Sequence, residues 1–167
     1  MMSCDSCDAV QKAESRPFWS GKGRFHVKNS RKARPLKQDI GCVSLLVRDY
    51  DKAIAFYKGK LGFDVIGDTP MGEDRRWVIL APKGSQGTRL LLARAKNEQE
   101  LASVGCQAGG RVFLFLNTDD FERDHARMVA LGVTFNEKPR HEAYGTVAVF
   151  EDLYGNKWDL IMPGPAT

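Results

Sequence analysis

The chain has 167 residues, of which 43% are hydrophobic and 28% charged, a balance typical of a globular domain and not of a disordered or fibrous chain. No apolar run approaches the ~20 residues of a membrane-spanning helix, and the N-terminus lacks the basic-then-apolar order of a secretory signal. We therefore expect a cytoplasmic protein with no membrane partner, formed by one domain or by two small modules that share a core.

The positive charge is concentrated at the N-terminus. Residues 1–38 hold nine Lys or Arg against three Asp or Glu, whereas the remainder holds sixteen against eighteen. With little apolar periodicity, residues 1–38 are predicted to be a basic, flexible arm that precedes a domain over 39–167. A solvated tail is one interpretation of this arm. Contact with nucleic acid is the other, although the slightly acidic domain gives it no support.

The first part of the domain predicts one strand, one helix and three further strands. An apolar stripe at 4-3-4 spacing defines the helix, which Asp49 or Asp51 can cap and which Gly62 ends. The predicted strands, which alternate or are rich in branched residues, are Cys42–Val47, Phe63–Ile66, Trp77–Leu80 and Thr88–Ala93.

After a polar and Gly-rich linker over 96–110, the same order returns. Asp119 or Asp120 precedes a second predicted helix that ends near Ala130, and the spacing from Leu116 to Leu131 matches that from Val47 to Leu61 within one residue. The predicted strands of this copy are Val112–Leu116, Val133–Phe135, Gly145–Phe150 and Lys157–Met162. A repeat of this kind predicts an α+β fold with two tandem βαβββ modules, over about 39–95 and 111–163.

Cysteine and histidine give little support for a metal or redox site. Cys4 and Cys7 have the spacing of a zinc half-site or a redox pair, but no second pair follows. Cys42 and Cys106 lie in or near apolar stretches and are expected to be buried, reduced thiols. His125 falls on the inner stripe of the second helix, where we expect it to pack in the core.

Four segments together resemble the vicinal oxygen chelate superfamily, which includes glyoxalase I, bleomycin-resistance proteins, fosfomycin-resistance enzymes and extradiol dioxygenases. They are Val47-Arg-Asp-Tyr-Asp-Lys-Ala-Ile-Ala-Phe-Tyr57, Lys60-Leu-Gly-Phe63, Tyr144-Gly145 and Phe150-Glu-Asp-Leu-Tyr-Gly-Asn-Lys-Trp-Asp-Leu-Ile161. The resemblance covers about residues 39–163. It implies that the modules form a curved, incomplete barrel around a cleft, that the protein is a homodimer, and that metal ligands, where relatives have them, come from the first and last strands of each module.

Transferring those positions to this chain gives Cys42, Leu91, Arg111 and Asp159. Leu91 cannot bind a metal, and the permanently charged Arg111 has no lone pair to offer. We therefore expect no cofactor, and a divalent metal is disfavoured. Within the implied strand order, Arg111 and Asp159 are predicted to form a cross-strand ion pair, and Cys42 and Leu91 an apolar pair.

Strand alternation predicts an apolar and aromatic cleft with a few polar groups, which suits a small organic ligand. The candidate ligand-binding residues are Cys42, Ser44, Trp77, Arg89, Arg111, Phe113, Phe115, Tyr144 and Asp159. The resemblance then implies a metal-independent binding protein of the glyoxalase/bleomycin-resistance type. The alternative is a glyoxalase-like lyase, related to lactoylglutathione lyase, or a related enzyme of the same superfamily, with Asp159 as its catalytic base. Extradiol ring cleavage lacks the required histidines.

Overall fold

The computed structural model describes residues 38–164, and its first module is a four-stranded sheet covered by one helix. Its elements are β1 (Cys42–Val47), α1 (Tyr50–Gly59), β2 (Phe63–Pro70), β3 (Arg76–Pro82) and β4 (Arg89–Arg94). The sheet order is β1-β4-β3-β2, with β1 and β4 parallel and the other pairs antiparallel. The arm predicted for residues 1–38, with Cys4 and Cys7, lies outside the described residues except for Gln38.

The second module repeats this arrangement after a short helix, α2 (Glu98–Ser103), in the linker. Its elements are β5 (Val112–Asn117), α3 (Phe121–Ala130), β6 (Arg140–Glu142), β7 (Gly145–Glu151) and β8 (Lys157–Pro163). The sheet order β5-β8-β7-β6 corresponds strand for strand to that of the first module, and β5 and β8 are again parallel. The predicted α+β fold of two modules is confirmed, and no closed barrel forms within residues 38–164.

One predicted strand is wrong. Val133–Phe135 does not form a ladder strand, because the N–H of Val133 donates to the carbonyl of Met128 (3.0 Å) in the turn that closes α3. Gly132 adopts a φ of 72° there, as a C-terminal helix cap of this type requires. Phe135 makes only an isolated bridge to Phe150, and the second strand of this module is β6.

Both long helices begin at an aspartate, as predicted. Asp49 accepts a hydrogen bond from the N–H of Lys52 (2.9 Å), and Asp120 accepts one from the N–H of Arg123 (3.0 Å). Each carboxylate satisfies an amide that the first helical turn leaves without a partner. The matching caps place the two helices equivalently in their modules.

The two modules share one hydrophobic core. The Tyr57 ring of α1 packs against Trp158 of β8 with ring centroids 6.1 Å apart, and its hydroxyl donates to Asp152 (2.8 Å). The sheet side chains of this core are Leu45, Val47, Phe63, Val78, Leu80, Leu90, Leu92, Ala148, Phe150, Trp158 and Leu160. Because these lie on the helix-covered face of each sheet, the opposite, open face of each sheet lies on the outside of this core.

Among the described residues, no helix is long and apolar enough to cross a membrane, and the longest two have ten residues each.

Candidate functional site

The open face of the second module is centred on Asp159. Asp159 lies in β8, between Phe115 of β5 and Val149 of β7, and shares its face with neither Trp158 nor Leu160, which are buried in the core. Phe115 is 64% exposed, an unusual position for a large aromatic side chain. This arrangement combines an acid with apolar neighbours on an accessible sheet surface.

The Asp159 carboxylate is incompletely satisfied. Its Oδ1 atom is buried and has no hydrogen-bond partner among the described residues. Burial raises the pKa of Asp159 above its ordinary value, Arg140 opposes that rise and Glu137 adds to it. A buried polar atom without a partner is rare, and it marks a position where a ligand group can supply the missing hydrogen bond.

Arg140 and its two acidic partners form a charged cluster near Asp159 that the sequence did not reveal. The Arg140 guanidinium contacts Glu137 (2.9 Å) and Glu142 (2.6 Å), and Arg140 is paired with Val147 on the same side of the sheet as Val149. This stretch follows Pro139 and has no strand pattern, so only the pairing of β6 with β7 shows that Arg140 belongs to the face.

The predicted ion pair between Arg111 and Asp159 is wrong. Arg111 precedes β5, where its N–H closes a turn with Ala108 (3.2 Å), and the first strand residue, Val112, pairs with Lys157. A register irregularity follows between Val112 and Leu114, so Asp159 lies opposite Phe115, four residues beyond Arg111. No carboxylate of the described chain lies within 4 Å of the Arg111 guanidinium.

The same irregularity changes the predicted position of Phe113. Phe113 packs against the core, together with Leu114, instead of lining the open face with Phe115. An extra residue in one strand of a pair re-aims the side chains on either side of it, which strict alternation cannot anticipate.

In the first module the predicted pairing is shifted by two residues. Cys42 lies opposite Arg89, and Ser44 lies opposite Leu91, so Cys42 and Leu91 are not cross-strand neighbours. Cys42 is exposed because it is the first residue of an edge strand, and Cys106 is also exposed, so the expected burial of both thiols is wrong. Ser44 is exposed on this open face, and its cross-strand neighbour is the apolar Leu91.

The two other aromatic candidates are both accessible. Trp77 of β3 is 49% exposed, and its alternation with the buried Val78 places it on the open face of the first module. Tyr144, in the turn between β6 and β7, is 57% exposed. The open face of the first module therefore holds Cys42, Ser44, Trp77 and Arg89, and that of the second holds Phe115 and Asp159. Tyr144 lies in a turn of the second module.

The donor set of these faces does not fit a catalytic metal. The neighbouring positions on the first and last strands are held by Ser44 and Leu91 in one module and by Phe115 and Asp159 in the other, which offers one carboxylate. Within residues 38–164, no group of three or more His, Cys, Asp or Glu residues is close enough to hold a metal ion. Catalytic sites usually provide at least three such ligands.

A family model described as the glyoxalase/bleomycin resistance protein/dioxygenase superfamily matches residues 39–160. The chain belongs to this superfamily. An uncharacterized protein of Shewanella frigidimarina is 58% identical to it over 127 residues, which are 75% of this chain and 94% of that one.

Two solved structures have a similar fold. UcmS2 is 30% identical with a TM-score of 0.67, covering 75% of this chain and 98% of that one. TnmS3, described as an antibiotic binding protein from Streptomyces sp. CB03234, is 32% identical with a TM-score of 0.64, covering 78% and 99%.

Proposed function

We propose that this superfamily member binds a small organic ligand on the open face of its second module, without a catalytic metal. The observation that carries the proposal is the buried Oδ1 atom of Asp159, which has no partner within the described chain. The ligand would donate a hydrogen bond to this oxygen and lay an aromatic or apolar body on Phe115. The description of TnmS3 as an antibiotic binding protein supports small-molecule binding in this branch of the fold.

The chemistry of the face favours a ligand with an N–H or O–H donor attached to a planar body. Phe115 offers an exposed ring for stacking, and Asp159 offers an acceptor whose strength increases in a poorly hydrated site. A cationic amine would also offset the unfavourable burial of the carboxylate.

We further propose that a second copy of the chain completes the site. Small-molecule sites are concave and bury most of the ligand surface, whereas Phe115, Trp77 and Tyr144 are about half exposed or more in one chain. The open face of the first module of one copy, with Trp77 and Ser44, would cover the Asp159 face of the other. This homodimer is the assembly expected from the family resemblance.

A second candidate function is a metal-independent lyase. The raised pKa of Asp159 favours it, because a carboxylate of raised pKa is a better proton acceptor at neutral pH. In this reading Asp159 would remove a proton from a bound substrate and return it at the adjacent carbon.

The binding proposal can be tested with proflavine, a planar aromatic cation that carries amino N–H donors and whose fluorescence changes on binding. We expect saturable binding that weakens at least about tenfold in Asp159→Asn and in Phe115→Ala. Asp39→Asn, an exposed aspartate outside the sheets, is the matched control and should bind as the wild type does. Equal affinity in Asp159→Asn and the wild type would contradict the proposed site.

The two functions separate in a second assay. Turnover of the methylglyoxal–glutathione hemithioacetal in the presence of EDTA, lost in Asp159→Asn, would favour the lyase. Proflavine binding without any such turnover would favour the binding protein. Sedimentation velocity at about 20 μM protein tests the proposed dimer.

A further inference from the structure

A groove that Asp159 does not line lies at the end of the first module. Three segments converge there: Arg48 after β1, residues 73–75 between β2 and β3, and residues 94–96 at the end of β4. Together they line a groove of about 580 Å³, which we call the arginine groove. Its residues are Arg48, Glu73, Asp74, Arg75, Arg94, Ala95 and Lys96, all from the first module and the start of the linker.

The arginine groove carries more positive than negative charge. Of its four cations, Arg94 is bridged to Asp74 (3.1 Å). No carboxylate of residues 38–164 lies within 4 Å of the charged groups of Arg48, Arg75 or Lys96. Like charges around a groove focus a positive potential into it, and an anion relieves their mutual repulsion.

The neighbouring Arg76 differs from the unpaired cations of the groove, because it has acidic partners. Arg76 binds the carboxylates of both Asp51 and Asp68, and its guanidinium lies over the Tyr50 ring, 5.4 Å from the centroid. Acidic partners therefore bind Arg76, which lines the neighbouring depression and not the arginine groove. The charged groups of Arg48, Arg75 and Lys96 have no such partner among residues 38–164 and keep their donors available.

Backbone hydrogen bonds hold the groove in shape. The N–H of Met71 donates to the carbonyl of Arg75 (2.8 Å), which closes the loop between β2 and β3. The N–H of Ala95 donates to the carbonyl of Val47 (2.9 Å), which holds the ends of β4 and β1 together. The cations are consequently placed on a preformed support, and an anion would not have to order the backbone.

We propose that the arginine groove binds a diphosphate group, either free or as part of a nucleotide. The guanidinium groups of Arg48 and Arg75 and the ammonium of Lys96 border the groove, and each guanidinium can donate two hydrogen bonds to the oxygens of one phosphate. Glu73 and Asp74 lie among the lining residues and would repel the further phosphates of a long polyanion. The combination selects a compact anion with two phosphates over a nucleic acid strand.

The test is isothermal titration of the full chain with sodium pyrophosphate at about pH 7.5, without divalent cations. We expect saturable binding of one pyrophosphate per chain, with the affinity reduced at least about tenfold in the double variant Arg48→Ala/Arg75→Ala. Both arginines are exposed, so the variant should keep the wild-type melting temperature.

Lysine substitutions provide the matched pair. Lys96→Ala should weaken pyrophosphate binding several-fold, because its ammonium borders the groove. Lys58→Ala removes the same charge from the exposed last turn of α1, about 12 Å along the helix axis from Tyr50, and should leave the affinity unchanged. Equal losses in the two variants would overturn the proposal, because general charge attraction would then account for binding.

Three further outcomes decide the proposal and its ligand class. Absence of saturable pyrophosphate binding would overturn it. An oligodeoxynucleotide that binds more tightly than pyrophosphate, and loses that affinity in the double arginine variant, would overturn it in favour of nucleic acid. Binding of ADP with at least the affinity of pyrophosphate, lost in the same variant, supports it and identifies a nucleotide as the source of the diphosphate.

Discussion

Asp159 lies directly opposite Phe115 on two parallel strands, and one oxygen of its carboxylate is buried without a hydrogen-bond partner in the described chain. The cross-strand neighbour of this acid on β5 is therefore an exposed aromatic ring and not Arg111. An acid in this position is unfavourable for the stability of the folded chain, because burial disfavours its charged form. This cost is consistent with the ligand-binding role that we propose for Asp159.

The first prediction concerns the pH dependence of stability. The raised pKa of Asp159 means that the folded state holds its proton more tightly than the unfolded state does. Stability is therefore lost as the pH rises from about the ordinary value of 3.8 through the folded-state pKa. At about pH 8, Asp159→Asn should be more stable than the wild type by up to about 1 kcal/mol, a value reduced because part of the side chain is accessible.

Urea denaturation of both proteins at several pH values measures this difference. The difference should shrink toward zero below about pH 3, where the acid is largely protonated in both states. Arg111→Ala is a useful companion, because it should leave stability within about 0.5 kcal/mol if the arginine is unpaired. An Asp159→Asn variant less stable than the wild type at pH 8 would mean that the carboxylate has a partner.

The second prediction concerns the hydrogen bond between the modules. The Tyr57 hydroxyl donates to Asp152 Oδ2 (2.8 Å) inside the shared core, and the burial of Tyr57 raises its pKa well above the usual range. Tyr57→Phe should lower the free energy of unfolding by about 1–3 kcal/mol, because a buried acceptor loses a donor. Chemical denaturation at neutral pH provides the measurement.

Tyr154→Phe is the control for this variant. The Tyr154 hydroxyl is only partly buried and accepts a longer hydrogen bond from the N–H of Asp49 (3.2 Å), so its loss should cost less than about 1 kcal/mol. Equal effects of the two substitutions would argue against a special contribution from the Tyr57 contact.

The third prediction concerns the edge of the first sheet. Gln107 mimics a neighbouring strand: its side-chain oxygen accepts from the N–H of Leu46 (2.6 Å), and its amide donates to the carbonyl of Ser44 (3.2 Å). Gln107→Ala should cost about 1–2 kcal/mol and speed hydrogen exchange at the Leu46 amide, which would become an unprotected edge group. Gln99→Ala in the exposed part of α2 should change neither quantity.

The fourth prediction concerns a glycine in the linker. Gly105 has a φ of 84°, and a methyl group on its Cα would overlap the carbonyl oxygen of Tyr154. Gly105→Ala should therefore destabilise the chain by about 3 kcal/mol or more. Gly84 has a similar φ of 76° but open space around it. Thermal denaturation of Gly84→Ala should therefore show a loss of stability of only about 1 kcal/mol. Similar effects for both would exclude the overlap as the cause.

Local signals predicted most of the fold. Asp49 and Asp120 cap helices because a short acidic side chain next to a helix start reaches the free amides of the first turn, which needs only neighbouring residues. The repeat predicted the two modules because equal patterns fold into equal units. The strand predicted for Val133–Phe135 was wrong because the amide of Val133 completes a turn at the end of α3. Apolar character alone cannot distinguish such a turn from a strand.

The candidate site could be predicted only in part from the sequence. Alternation along β8 placed Asp159 on the open face, since side chains in a strand point to opposite sides in turn. Its partner depends on the register between β5 and β8, which are separated by about forty residues and shifted by one irregularity near Phe113. Register is an outcome of packing between distant segments, so only the folded chain shows that Phe115, and not Arg111, lies opposite Asp159. For the same reason the sequence did not reveal that Arg140 lies near Asp159. Nor did it reveal the groove lined by Arg48, Arg75 and Lys96.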